Sequence, residues 1–245
     1  MWLNFNSRGR EKVMKFSFFI ALALCYMTPV QAGNAYTGQI VINGQIMGGA
    51  SDVIKGSGVK RSINRKVGAF LSVILEGGFN VNYRHGSPSL SITGDVNIIE
   101  HVLASVTNQT LRLSIDKSYS SSYPIAIDIS SQSLQEMNLA GVGEVKLDNL
   151  KTDQLTINIT GTGDVSVTGK ANTLKLIVQG TGDVMARYLD SDAVTVELEG
   201  TGNVEVTAHS KLDVNMTGVG NVLYFGSPQN ISKQISGVGD VEPGE

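Results

Sequence analysis

One cysteine (Cys25), five prolines and 6% aromatic residues leave this 245-residue chain few of the usual means of stapling or stiffening a fold. A disulfide framework is excluded, so stability has to come from a packed core. The three histidines, His85, His101 and His209, lie too far apart in sequence to give a metal-ligand spacing. No apolar run reaches the roughly 18 residues of a membrane-spanning helix. What the chain has in quantity is glycine, 28 residues of it. A disordered linker would bring proline along with that glycine, so the glycines are expected to serve the turns of a regular architecture built from many short strands.

The N-terminus has the layout of an export signal. A short basic start at Met14-Lys15 precedes an apolar run from Phe16 to Met27, and Val30-Gln31-Ala32 fits a small-x-small cleavage site. Residues 1–32 are therefore expected to be removed, with residues 1–13, Trp2 among them, as an upstream extension. Cys25 follows Leu24, where a lipoprotein signal requires a small residue, so the mature chain is expected to begin at Gly33 without cysteine. The destination implied is the periplasm, the cell surface or the medium, with no transmembrane segment in the mature chain.

Charge is unevenly placed. Residues 134–245 carry 7 basic against 15 acidic side chains, which argues against nucleic acid as a partner, because phosphate binding needs cationic neutralisation. The basic cluster Lys55, Lys60, Arg61, Arg65 and Lys66 reads as a solvated loop or edge; attachment to an anionic polymer or lipid is the alternative.

A pentapeptide Gly-x-Gly-(Asp/Asn/Glu)-Val begins at Gly141, Gly161, Gly180, Gly200, Gly218 and Gly237, at intervals of 20, 19, 20, 18 and 19 residues. So steady a period signals stacked structural repeats. Apolar residues stand four and two places before the first glycine, as in Ile157/Ile159, Leu176/Val178, Val196/Leu198 and Val214/Met216, and a valine stands four places after it in all six units. Alternation with period two marks strands buried on one face. Each unit thus reads as strand, glycine turn, strand, polar turn, and coils must stack in parallel to bury that face. In the last unit Lys233 stands where the others are apolar and Pro243 follows, which reads as a closing coil protected against edge pairing.

The expected fold is all-β, a parallel β-helix or solenoid of roughly 19-residue coils. Regular coils are expected from residue 134 within a single domain over 33–245. Alternating segments such as Phe70 to Tyr83, Leu111 to Ile115 and Ile125 to Ile129 predict irregular N-terminal coils, with one short helix near Asp95 to Ala104 and Asp95 as its N-cap.

With these residues in view, the chain resembles the auto-transporter adhesin head GIN domain family of bacterial exported proteins over about residues 56–241. The likeness rests on Ile42-Asn43-Gly44, Gly56-Ser57-Gly58-Val59, the stretch from Phe70 through Gly86 into Ser91-Ile92-Thr93-Gly94-Asp95, the strand Thr110 to Leu113, and the Gly-x-Gly-Asp-Val series. The resemblance implies a β-helical fold, an envelope or surface location and an adhesin-like role; it transfers no catalytic residues.

Two columns of candidate site residues follow from the register. Glu144, Asp164, Asp183, Asn203, Asn221 and Asp240 should line one corner, each side chain accepting backbone N–H bonds in its own turn. Calcium between turns, held by Glu144, Asp164, Asp183 and Asp240, is the alternative, although the coils are twice as long as those of calcium-binding nonapeptide rolls. Thr162, Thr181 and Thr201 form a second row, read as a hydroxyl ladder or as a flat surface for a repetitive ligand. No cofactor is implied. The function expected is non-enzymatic binding at the envelope or surface, with a protein, polysaccharide or other envelope component as partner. The alternatives are a carbohydrate-active β-helix enzyme, for which Asp183 and Arg187 would be the nearby charged pair, and a structural periplasmic scaffold.

Overall fold

The structure, a computed structural model, describes residues 41–42, 45–46 and 53–244. The export signal at residues 1–32, the start at Gly33 and Asn43-Gly44 lie outside the described residues. The protein is all-β, with 65% of the described residues in strands and 2% in helix. The strands Val41–Ile42 and Gln45–Ile46 form an antiparallel pair and belong to one compact unit. The described chain from 53 to 244 belongs to a second unit, in which seventeen strands build one open sheet.

The glycine repeat dictates how that sheet is assembled. Strands preceding the glycines pair in parallel, so that Val73, Met137, Ile157, Leu176, Val196, Val214 and Lys233 stand one above another. Strands following the glycines do the same and superpose Val81, Val145, Val165, Val184, Val204, Val222 and Val241. All of these except Lys233 are buried. Parallel pairing at about 4.8 Å brings each aliphatic residue onto its equivalent in the next repeat, and two facing columns become one core.

The first repeat starts earlier than the pentapeptide series. Ser72–Glu76 and Phe79–His85 flank Gly77-Gly78 and lie in register with the unit at Gly141, through Gly78 beside Val142 and Val81 beside Val145. Val73, Leu75, Val81 and Tyr83 occupy the same offsets from Gly77 as their counterparts in later units. Phe79 in place of the second glycine disguises the match. Residues 86–133 are an excursion that returns to the same stack.

That excursion is not built of coils. Val102–Thr107 and Thr110–Ile115 form an antiparallel hairpin, whose second strand joins Ser72–Glu76 in parallel. Ser89–Asp95 lies antiparallel between Ile125–Ser131 and Lys60–Arg65, and Ile125–Ser131 joins Phe79–His85. The physical reason is turn length: the two-residue link at Asn108-Gln109, both at positive φ, can only reverse a chain, whereas parallel pairing needs a long crossover. The helix is a single turn, Val96–Ile99, and Asp95 makes no side-chain cap bond to it. Buried Asp95 instead accepts hydrogen bonds from the Gly58 N–H at 2.8 Å and from the Ser121 hydroxyl, tying down the loop at Gly56-Ser57-Gly58.

Two different constraints demand the paired glycines. A Cβ on Gly180 would lie 1.9 Å from the carbonyl oxygen of Gly161 in the preceding repeat, so close backbone approach alone excludes a side chain. Gly182 has the same problem with the Gly163 carbonyl, also at 1.9 Å, and in addition sits at φ +156°.

Two stability experiments follow. Val196→Asp buries an unpaired charge and should cost at least ~3 kcal/mol. Asp at the neighbouring outward-facing Thr195, which lies between Lys175 and Asp213, should cost no more than about 1 kcal/mol. Equal damage at both positions in denaturant melts would refute the register. Gly182→Ala should destabilise by well over the ~1–2 kcal/mol expected of Gly58→Ala. Gly58 shares a positive φ, but a Cβ there meets nothing within 4 Å. Similar melting points for the two variants would mean that backbone approach is not what selects glycine in the repeat.

Candidate functional site

Directly after each second glycine comes the acid or amide of the pentapeptide, and the register places these side chains in a column on the outer surface. Their bonds run between repeats and not within a turn. The Asp164 carboxylate accepts from the Asp183 N–H at 2.8 Å, and Asp183 Oδ1 accepts from the Asn203 N–H at 2.7 Å and from its Nδ2 at 3.2 Å. Asn203 and Asn221 accept in turn from the N–H groups of Asn221 and Asp240, both at 3.1 Å. The backbone ladder explains this direction. One rung is made by the Thr181 N–H to the Gly161 carbonyl, but after the glycine corner the Asp183 N–H meets a side-chain oxygen from the repeat above in place of a backbone one. The side chain supplies a rung that the turn removes. Asn80 begins the column by accepting from the Glu144 N–H at 3.3 Å, which the irregular Gly77-Gly78 corner conceals in the sequence. Glu144 itself pairs with Lys146 at 3.1 Å.

A shallow groove of about 520 Å³ runs along this column. Its floor is Asp164, Asp183, Asn203, Asn221 and Asp240, and its wall is the next outward row, Met185, Glu205, Leu223 and Glu242. Five carboxylates line it and no lysine or arginine does. Five of the fifteen acidic side chains of residues 134–245 thus line one groove, alongside the apolar side chains of Met185 and Leu223.

Beside the groove the stack is interrupted, as it also is at Leu147/Leu150 one repeat earlier. A register shift in the pairing of Val165–Val178 with Val184–Asp190 leaves Arg187 and Tyr188 both outward. Tyr188 is 74% exposed, and the Arg187 guanidinium lies 4.1 Å from the Phe225 ring centroid and 5.8 Å from that of Tyr188. Bulges re-aim side chains in this way. Asp190, two residues on, is held below the usual carboxylate range by its hydrogen bonds to His209 and Lys170.

The remaining candidates are placed as follows. Thr162, Thr181 and Thr201 stack between Val142 and Val219 by parallel bridges, all exposed; among the described residues no hydrogen bond joins their hydroxyls. Lys60, Arg61 and Arg65 lie on Lys60–Arg65, which pairs with Ser89–Asp95 and has no second neighbour among the described residues. Charges on such a strand discourage further pairing. Arg65 turns inward to the carbonyls of Val102 and, at 3.3 Å, Ile99, and Lys60 lies 6.0 Å from the Tyr123 ring. Lys55 ends the short strand Ile54–Lys55 and Lys66 is exposed beyond Arg65, so the five charges do not converge on one spot. His101 pairs with Asp116 at 2.9 Å. Among the described residues no group of His, Cys, Asp or Glu is arranged to hold a metal ion, and no helix is long and apolar enough to cross a membrane.

If the column's work is to replace backbone rungs, Asp183→Ala should cost about 1–2 kcal/mol, because two donors lose their acceptor, while Asp183→Asn should cost less than half of that. Chelation should leave the melting temperature unchanged. A drop on chelation that calcium restores and magnesium does not would assign the column to a metal.

Comparison with known proteins places this geometry. A family profile described as "Putative auto-transporter adhesin, head GIN domain" matches residues 69–228, from just ahead of the first repeat to the end of the fifth pentapeptide repeat. A crystal structure described as a "putative adhesin" from Bacteroides fragilis NCTC 9343 is similar with a TM-score of 0.65 and 28% identity, covering 78% of this chain and 99% of that one. A "putative adhesin" from Parabacteroides merdae ATCC 43184 shows 19% identity and a TM-score of 0.46 over 80% of this chain and 100% of that one. A "putative lipid binding protein" from Parabacteroides distasonis ATCC 8503 shows 20% identity and a TM-score of 0.41 over 78% and 99%. No curated protein matches the chain. The profile spans well over half of the sequence, including five of the six pentapeptides: the chain belongs to the auto-transporter adhesin head GIN domain family.

Proposed function

We propose that this protein is an exported, non-enzymatic binding protein of the cell envelope or surface, and that it contacts its partner through the acidic groove on the outside of a parallel β-solenoid. The solenoid reading is supported by the two ladders, which advance one repeat of 18 to 20 residues per step from Gly141 to Gly237. The location and the binding role are supported by membership of the family.

The observation that carries the groove is the combination of its open shape with Met185, 48% exposed, and Leu223 set among five carboxylates. Apolar side chains on an outward row of a strand are not needed by the core, and their natural use is contact with another molecule. The carboxylates select against polyanions, so the partner is a neutral or cationic polymer or protein surface. Asp164 and Asp183 are committed to rungs between repeats, which favours binding over acid–base chemistry.

A screen of the exported protein against glycans, envelope components and envelope proteins tests this directly. A partner that binds should lose about tenfold in affinity on Met185→Ala or Leu223→Ala, and should be indifferent to Lys60→Ala and Arg61→Ala. A partner that tolerates the groove variants and is lost with the lysine and arginine variants would move the site to the basic edge strand.

A further inference from the structure

Among the described residues, Tyr188 is the large hydrophobic side chain most open to solvent. It owes that position to the bulge. Met185 stands beside Ser166 and Tyr188 beside Thr168, so Val184–Asp190 holds one residue more than its neighbour over this stretch. The bulge is also pinned. The Arg187 carbonyl accepts from the Thr207 hydroxyl of the next repeat at 2.6 Å, and the Arg187 guanidinium lies over Phe225, which stands in register with Thr207. Phe225 is packed in turn against the chain end, where a side chain on Gly244 would collide with its ring. Tyr188 is therefore an exposed ring on a fixed stretch of paired backbone, with two side-chain torsions left to order when a ligand arrives.

The ring flanks the groove. Tyr188 is three residues from Met185, about 10 Å along the strand, and Met185 and Arg187 are both exposed on either side of buried Ala186. A ligand that spans both places meets groups of different kinds in order: carboxylates and the amides of Asn203 and Asn221, then a guanidinium, then an aromatic face. The basic side chains further along, Lys170 and His209, are held by Asp190. A polyanion is opposed by the groove, and a polycation that reaches the ring has to pass Arg187. Hydroxyl groups serve both, since they donate to carboxylates and accept from guanidinium or amide N–H groups. The negative face of an aromatic ring attracts C–H groups, which a sugar ring presents on its own flat side.

We propose that Tyr188 is a stacking platform for a pyranose ring, and that the ligand is an uncharged glycan chain lying across the carboxylate and amide column with one sugar on that platform. The inference rests on the groove reading above and adds to it the ligand class and a contact residue outside the groove.

The test titrates the full exported chain, by calorimetry, with soluble hexasaccharides of glucose, mannose, galactose and N-acetylglucosamine. Hexagalacturonate, a glucosamine hexamer and hexalysine serve as charged probes. At least one neutral hexasaccharide should bind, with an affinity unchanged by added salt. Tyr188→Ala should weaken it at least about tenfold and Tyr188→Phe by less than about threefold, both with an unchanged circular dichroism spectrum because the side chain is not part of the core. Met185→Ala and Leu223→Ala should weaken the same hexasaccharide. Binding that is lost with Met185→Ala or Leu223→Ala but indifferent to Tyr188→Ala would overturn the platform and leave the groove reading standing. Sensitivity to Tyr188→Ala alone would overturn both, since the ring would then be a separate site. Binding confined to a charged probe would overturn the uncharged ligand class, and if that probe is hexagalacturonate the groove reading falls with it. Failure of every neutral hexasaccharide to bind would overturn the proposal outright.

Discussion

Backbone passing over backbone at the glycine corners is the contact on which the rest of this structure depends. Where the carbonyl oxygen of one glycine lies under the Cα of the next, with no room for a Cβ, consecutive repeats approach at strand spacing around a tight turn. Every other feature of the regular region inherits its position from that approach. The valines four residues later superpose because the corners superpose, and so do the acids and amides between them.

This geometry explains why one residue type per repeat can serve two ends. The acid or amide after the second glycine repairs the rung that the corner breaks, and in doing so it is held at the surface with its remaining polar capacity outward. A row of such groups beside an outward row containing Met185 and Leu223 makes a long, shallow, negatively charged strip instead of a deep cleft. Strips of that form suit the recognition of extended partners. They also persist without much cost, because the core behind them is continuous and each repeat is supported by its neighbours.

The two ends of the stack solve the exposed-edge problem differently. At the N-terminal side, antiparallel hairpins continue the ladders and finish in Lys60–Arg65, whose charges discourage further pairing, and in Val102–Thr107. At the C-terminal side the repeat runs to Val241 and Pro243, and one lysine at a core position bridges the last two strands. In both cases a positive side chain stands where continued regularity would invite another strand.

Much of the regular region was legible in the sequence, since period two and a step near nineteen together specify both which residues are buried and which residues stack; Ile157, Leu176, Val196 and Val214 form a column as that arithmetic requires. The strand, Gly77-Gly78 turn and strand from Phe70 to Tyr83 were legible, but not their place as the first repeat of the stack, because Phe79 replaces a glycine and residues 86–133 intervene before the stack resumes. Which oxygen meets which N–H was not legible either: Asp183 has donors near it in its own turn and in the next, and only the relative height of the stacked corners selects the next. The same holds for Asp95, whose position before a helix suggests a cap but whose carboxylate is taken by a loop nearly forty residues earlier. The sequence by itself determined the all-β composition, the repeat and its buried columns, because these depend on local alternation repeated many times. The tertiary structure alone decided the groove, the bulge at Arg187 and the bond from Lys233 to the Val241 carbonyl, because each depends on residues distant along the chain meeting in a way that no local pattern encodes.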